Sequence, residues 1–253
     1  MRVGRDNGRK LSRQDKADEA EAEALHARLD SVTADLFDTF PQLKEHTNSA
    51  GVILTEKDFW NAVIRQDVAT IEACSRAPIF NANCEGARGL TPLYLASKIG
   101  SLSVVTCLIA LDADANKPGL FGCPPLAIAA EKGHDAVIGV LVEAGADMNW
   151  VTSDGRTPLY IAAESAHVRC VEVLGQLGAD VHIARASDGG TALHAAARGG
   201  HLSCINALQA SGADVNTAGS DGETPLSYAA EKGHVDSINA LASLGADLNK
   251  ACD

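Results

Sequence analysis

The feature that most constrains this chain is that it repeats itself. Asp221 to Asn249 reads DGETPLSYAAEKGHVDSINALASLGADLN: a turn, an apolar-striped helix, a tight corner, a second helix and an exit turn. Close copies run from Asp188 (DGGTALHAAARGGHLSCINALQASGADVN) and Asp154 (DGRTPLYIAAESAHVRCVEVLGQLGADVH), and looser ones from Phe121 (FGCPPLAIAAEKGHDAVIGVLVEAGADMN) and Arg88 (RGLTPLYLASKIGSLSVVTCLIALDADAN). The starts of their first helices, Thr91, Pro124, Thr157, Thr191 and Thr224, fall 33, 33, 34 and 33 residues apart. One unit cannot bury both of its apolar faces alone, so the copies must stack into a continuous core. Internal repetition replaces the count of one or two domains that 253 residues would otherwise suggest.

Each unit carries its own punctuation. Thr91-Pro92, Thr157-Pro158 and Thr224-Pro225 supply a capping hydroxyl and a first-turn proline whose missing N–H has no helical partner to lose. Gly133-His134, Gly200-His201 and Gly233-His234 allow a left-handed backbone at the end of the first helix. Asp-Gly at 154–155, 188–189 and 221–222 forms the tips of projecting turns, here called fingers. The period of 33, the G-x-T-P-L core and the closing G-A-D-x-N together resemble the ankyrin repeat, over roughly residues 55–253. The resemblance implies an all-α solenoid of one degenerate and five clear helix–turn–helix repeats. The predicted repeat bounds are about 55–85, 86–118, 119–151, 152–185, 186–218 and 219–253 within a repeat domain over 51–253.

The segment before that domain reads differently. Residues 1–16 hold six basic residues and little apolar content, the signature of a flexible basic tail. Residues 17–50 are expected to form an amphipathic helix and a linker: Leu25, Leu29, Val32, Leu36 and Phe40 make one stripe, ended at Pro41. That stripe has to cover something: the first repeat, a partner or a second chain, and only the last of these makes the protein other than monomeric. Thr55 and Asp58 then mark a helix start for the degenerate first repeat.

Composition narrows the chemistry. A net charge of −12 speaks against a sequence-independent grip on nucleic acid or anionic lipid. No apolar run approaches the roughly 18–20 residues of a membrane span, so no membrane insertion is expected. The seven Cys form no CxxC pair, and Cys170 and Cys204 hold a helix position occupied elsewhere by Val104 and Val137. They read as small apolar core residues in a reducing, cytoplasmic setting, with nuclear and cytoskeletal or ciliary placement as alternatives. His134, His167, His201 and His234 recur once per repeat; repeats about 10 Å apart cannot bring them onto one ion. His194 is the only His in the TPLH position of the family, with Tyr94, Ala127, Tyr160 and Ser227 at its equivalents. Neither a phosphate-cradling loop, nor an HExxH, nor a nucleophile with its orienting carboxylate is present, so no catalysis and no cofactor are expected.

The resemblance further implies a concave recognition surface lined by fingers and first helices, where positions that vary between repeats make contacts. They map to Arg88, Leu90, Lys98, Ile99, Leu120, Phe121, Cys123, Glu131 and Lys132 in the early repeats. Asp154, Arg156, Glu164, Ser165, Asp188, Arg198, Asp221, Glu223, Glu231 and Lys232 follow. The early half presents apolar and aromatic residues and the later half mostly acids. Leu90, Tyr94, Ile99, Leu120, Phe121, Trp150, Arg156, Tyr160 and Arg198 are the partner-binding candidates. Leu120, Phe121 and Trp150 are expected to centre a protein interface, with the acidic fingers steering a basic partner segment. The competing expectation is that Phe121 and Trp150 fold back over neighbouring fingers and serve stability. A non-catalytic adaptor or scaffold is the expected function, and a structural subunit of a large cytoskeletal or ciliary assembly is the alternative.

Overall fold

A computed structural model describes residues 45–47, 53–76 and 80–250. The basic tail and the amphipathic helix expected over residues 1–40 lie outside the described residues. A two-stranded antiparallel ribbon, β1 (Glu45–Thr47) and β2 (Ile53–Thr55), leads into the helices and is the one element the sequence reading did not anticipate. Twelve α-helices follow among the described residues, in six pairs: α1 (Glu56–Arg65) and α2 (Val68–Ser75), α3 (Pro92–Ile99) and α4 (Leu102–Ala110), α5 (Pro125–Lys132) and α6 (Asp135–Glu143). The later pairs are α7 (Pro158–Glu164) and α8 (Val168–Gln176), α9 (Ala192–Gly199) and α10 (Leu202–Ala210), α11 (Pro225–Glu231) and α12 (Val235–Ser243). Each odd-numbered helix packs on the next odd one, each even on the next even, and the two of a pair on each other. The architecture is therefore the stacked all-α solenoid that the period required.

Local chemistry explains the helix starts. Thr91, Thr157 and Thr224 accept hydrogen bonds from the backbone N–H three residues on, at 3.3, 3.1 and 3.2 Å. Thr55 and Asp58 exchange bonds in both directions, as their spacing predicts. At the corners Gly100, Gly133, Gly200 and Gly233 adopt φ of 82°, 80°, 71° and 72°, and the next repeat packs a ring so close that a Cβ on Gly100 would stand 2.5 Å from His134. Those rings are the recurring histidines. His134, His167, His201 and His234 place Nε2 3.2, 3.0, 3.2 and 3.0 Å from the carbonyls of Lys98, Glu131, Glu164 and Arg198. Each ties the corner of its own repeat to the end of the preceding first helix, satisfying a carbonyl the helix leaves open.

The loops are tied by a second ladder. The side-chain oxygens of Asn83, Asn116, Asn149 and Asn216 accept from the backbone of Asp114, Asp147, Asp180 and Asp247, at 2.7 to 3.0 Å. The core between the helix layers is made of Leu, Ile, Val and Ala, with Leu108, Ile138, Leu141, Leu174, Ile205, Leu208 and Leu241 fully enclosed. Cys170 and Cys204 sit in it as expected, at 0 % and 1 % exposure.

Candidate functional site

The fingers are tight turns, most of them closed by the same pair of backbone bonds. Gly119 N donates to Cys123 O at 2.8 Å and Gly122 N to Gly119 O at 3.3 Å; Thr152, Arg156 and Gly155 repeat the scheme one finger later. The tip residues nevertheless differ in conformation. Arg88 and Phe121 have φ of 58° and 57°, a left-handed backbone that a residue with a Cβ adopts only at a cost. Phe121 is 80 % exposed. It does not fold back over its neighbours, so its ring contributes little to the core while its backbone is strained. Leu120 and Ile99 are half-buried beside the finger and helix end to which they belong.

Several candidates stand elsewhere. Leu90, Tyr94 and Tyr160 are 2 %, 5 % and 2 % exposed and belong to the interior, not to a presented surface. The reason is the neighbouring finger. Gly119 lies against the Tyr94 ring so closely that a Cβ there would come within 2.3 Å of it, and the Arg185 guanidinium covers Tyr160 at 5.4 Å. Trp150 is half-buried and occupies the repeat position of Lys117 and Lys250, whose ammonium groups reach back to the carbonyls of Asn83 and Asn216. That is the base of a finger, not its tip, and no ring pair joins Trp150 to Phe121 among the described residues.

The later fingers carry organised charge. Arg156 grips Asp154 at 2.5 Å and Glu164 at 2.6 Å, spanning the tip of its finger and the end of α7. One repeat on, Arg185 donates to both oxygens of Asp188, through Nε at 3.0 Å and through a second nitrogen. Those bonds outweigh burial and hold the Asp188 carboxyl at about 2. Arg198, at the end of α9, stacks on Tyr228 with 4.6 Å from Cζ to the ring centroid. It stands 3.6 Å from the same Asp188 carboxylate. This finger and the end of α9 therefore set two guanidiniums around one carboxylate, within the later half where the sequence presents mostly acids. Asp221 and Glu223 on the last finger form no ion pair among the described residues.

Arg185 and Tyr228 are the members of this site that sequence reading missed as contact residues. The available signal was Arg185 three residues before Asp188, in the one finger where the period lengthens to 34. His194 sits beneath the cluster, its Nδ1 accepting from Thr191 N at 3.0 Å and its Nε2 3.3 Å from Glu223 O. Burial above all keeps its pKa below the ordinary imidazole value. The half-buried Cys123 thiol is pushed up to about 11 by burial, with Glu131 adding to the effect, far from the thiolate a nucleophile requires.

The family model for ankyrin repeats in three copies matches residues 60–150, 93–185 and 177–252. The chain belongs to the ankyrin-repeat family. No curated protein matches it. Ankyrin repeats are in general protein–protein interaction modules, and this chain is one of them by family. The fold is typically non-catalytic.

Proposed function

We propose that this ankyrin-repeat protein is a non-catalytic adaptor that takes a protein partner on the face formed by its fingers and first-helix ends. The observation that carries the reading is Phe121: a large apolar ring, 80 % exposed, on a backbone held at φ 57°. Folding gains little from either property, and a strained exposed aromatic is the kind of group that anchors an interface. Leu120 adjoins the anchor in the chain, half-buried Ile99 ends the first helix of the preceding repeat, and Trp150 widens the surface at the base of the next finger. Asp221 and Glu223 meet basic side chains of the partner and set its orientation and encounter rate. Catalysis has no support in the thiols: burial pushes Cys84 and Cys170 up to about 12 and Cys74 and Cys204 to about 11. The six cysteines of the described residues are free, which fits a protein working in the reducing cytoplasm.

The test is affinity capture from native extract with the wild-type chain and Phe121→Ser, with thermal melts of both. A variant that melts no lower and loses a specific partner supports the reading. An unchanged set of captured proteins removes Phe121 from it and overturns the proposed face.

A further inference from the structure

Arg198 is an arginine with unused donors. Its guanidinium rests on the Tyr228 ring, its side chain is 35 % exposed, and among the described residues it donates no hydrogen bond. Its one ionic neighbour, Asp188, is 3.6 Å away, beyond hydrogen-bond reach, because Arg185 already occupies both oxygens of that carboxylate. Nε is enclosed without an acceptor, so the outer nitrogens are the ones that face the finger surface. Glu164 and Glu231, at the equivalent first-helix position of the repeats on either side, are taken by Arg156 and Lys232. Arg185, Asp188 and Arg198 together leave one unit of positive charge, on a chain whose net charge is −12. The stacking on Tyr228 fixes the guanidinium plane, so little rotamer freedom remains to be lost when an acceptor arrives.

We propose that Arg198, with the outer edge of Arg185, is an acceptor site for one carboxylate side chain of the bound partner segment. The inference rests on the finger-face reading and adds what the partner brings there: an Asp or Glu, in a segment otherwise matched to acidic fingers. A monoanion fits a residual charge of one; a dianionic phosphate leaves charge uncompensated beside Asp188 and Glu164. Asp188 lies two fingers beyond Phe121. At about 10 Å per repeat that is roughly 20 Å, or about six residues of an extended segment at about 3.3 Å each. The partner's acid therefore stands about six positions from the side chain that meets Phe121.

The experiment is a titration of the full chain, labelled with nitrogen-15, followed through its arginine Nε–H resonances. The probes are N-acetyl-glutamate amide, N-acetyl-glutamine amide and methyl phosphate. The expected result is a saturable shift at Arg198 with the glutamate probe, a midpoint roughly tenfold below that at the exposed Arg169, and no saturation with the glutamine probe. Arg198→Gln removes the response of the 185–198 amides, and Arg198→Lys, which keeps charge but not the fork, weakens it. Equal midpoints at Arg198 and Arg169, an unchanged response in Arg198→Gln, or tighter binding of methyl phosphate each overturn the carboxylate site. If Phe121→Ser loses its partner while no carboxylate response exists, this inference fails alone and the finger-face reading stands.

Discussion

At the scale of single residues, Phe121 separates stability from function. A non-glycine residue in the left-handed region costs on the order of 1–2 kcal/mol, least for Asn. Phe121 incurs that cost at φ 57° and returns little buried area for it. Phe121→Asn should therefore raise unfolding stability by about 1 kcal/mol in a denaturant titration while weakening partner capture. An unchanged or lower stability would show that the ring packs in solution. His194 gives the opposite case, a polar residue the fold needs. It is fully buried, and its Nδ1 must stay unprotonated to accept the Thr191 N–H. Its folded pKa lies below 6.5, so the unfolded chain takes up the proton first as pH falls. Its contribution is complete above about pH 6.5 and is lost as the pH drops below that value toward the folded pKa. Thermal midpoints at pH 7.5 and 5.5 should differ more for the wild type than for His194→Asn. Equal differences would remove His194 from the acid response.

At the scale of elements, each turn shows its cost openly, because six versions can be compared. The corner after α7 holds Ala166 at φ 62°, where four other repeats place glycine. At the equivalent Gly133 a Cβ would come within 2.7 Å of the His167 ring. Ala166→Gly should add about 1 kcal/mol to stability without altering the fold, measured by denaturant midpoint. The same comparison shows what could be read from sequence. Threonine caps, corner glycines and the Cys170 and Cys204 core positions were legible because each depends on its own repeat. Burial of Tyr94 and Tyr160 was not, since it is imposed by Gly119 and Arg185 from the following finger. The acids of the later fingers misled for the same reason. Asp154 and Asp188 count as charges in sequence, but Arg156 and Arg185 neutralise them in place, and only the pairing geometry reveals that Arg198 is left over. The ribbon of β1 and β2 was missed because two three-residue strands carry no periodic signal to detect.

At the scale of the whole molecule, stability is a sum of repeats and the interfaces between them, so position along the stack decides how far a defect spreads. Leu174 in α8 and Leu241 in α12 are both fully buried, and truncating either to Ala costs about 2–5 kcal/mol locally. Their surroundings differ. α8 is packed between α6 and α10, whereas α12 among the described helices packs chiefly on α10 and α11. The last repeat also leaves Val235 64 % and Leu248 67 % exposed and encloses the hydroxyl of Ser237 without a partner. Among the described helices it has a neighbouring repeat on one side only, so it should open before the middle of the stack. In native-state hydrogen exchange, Leu241→Ala should therefore speed exchange in α11 and α12 and leave α5 to α8 nearly unchanged. Leu174→Ala should lower protection on both sides of α8, because losing that repeat breaks two interfaces at once. If Leu241→Ala instead lowers protection evenly along the stack, the molecule unfolds as one cooperative unit. In that case the finger holding Phe121 and the helix holding Arg198 share their stability with every other repeat.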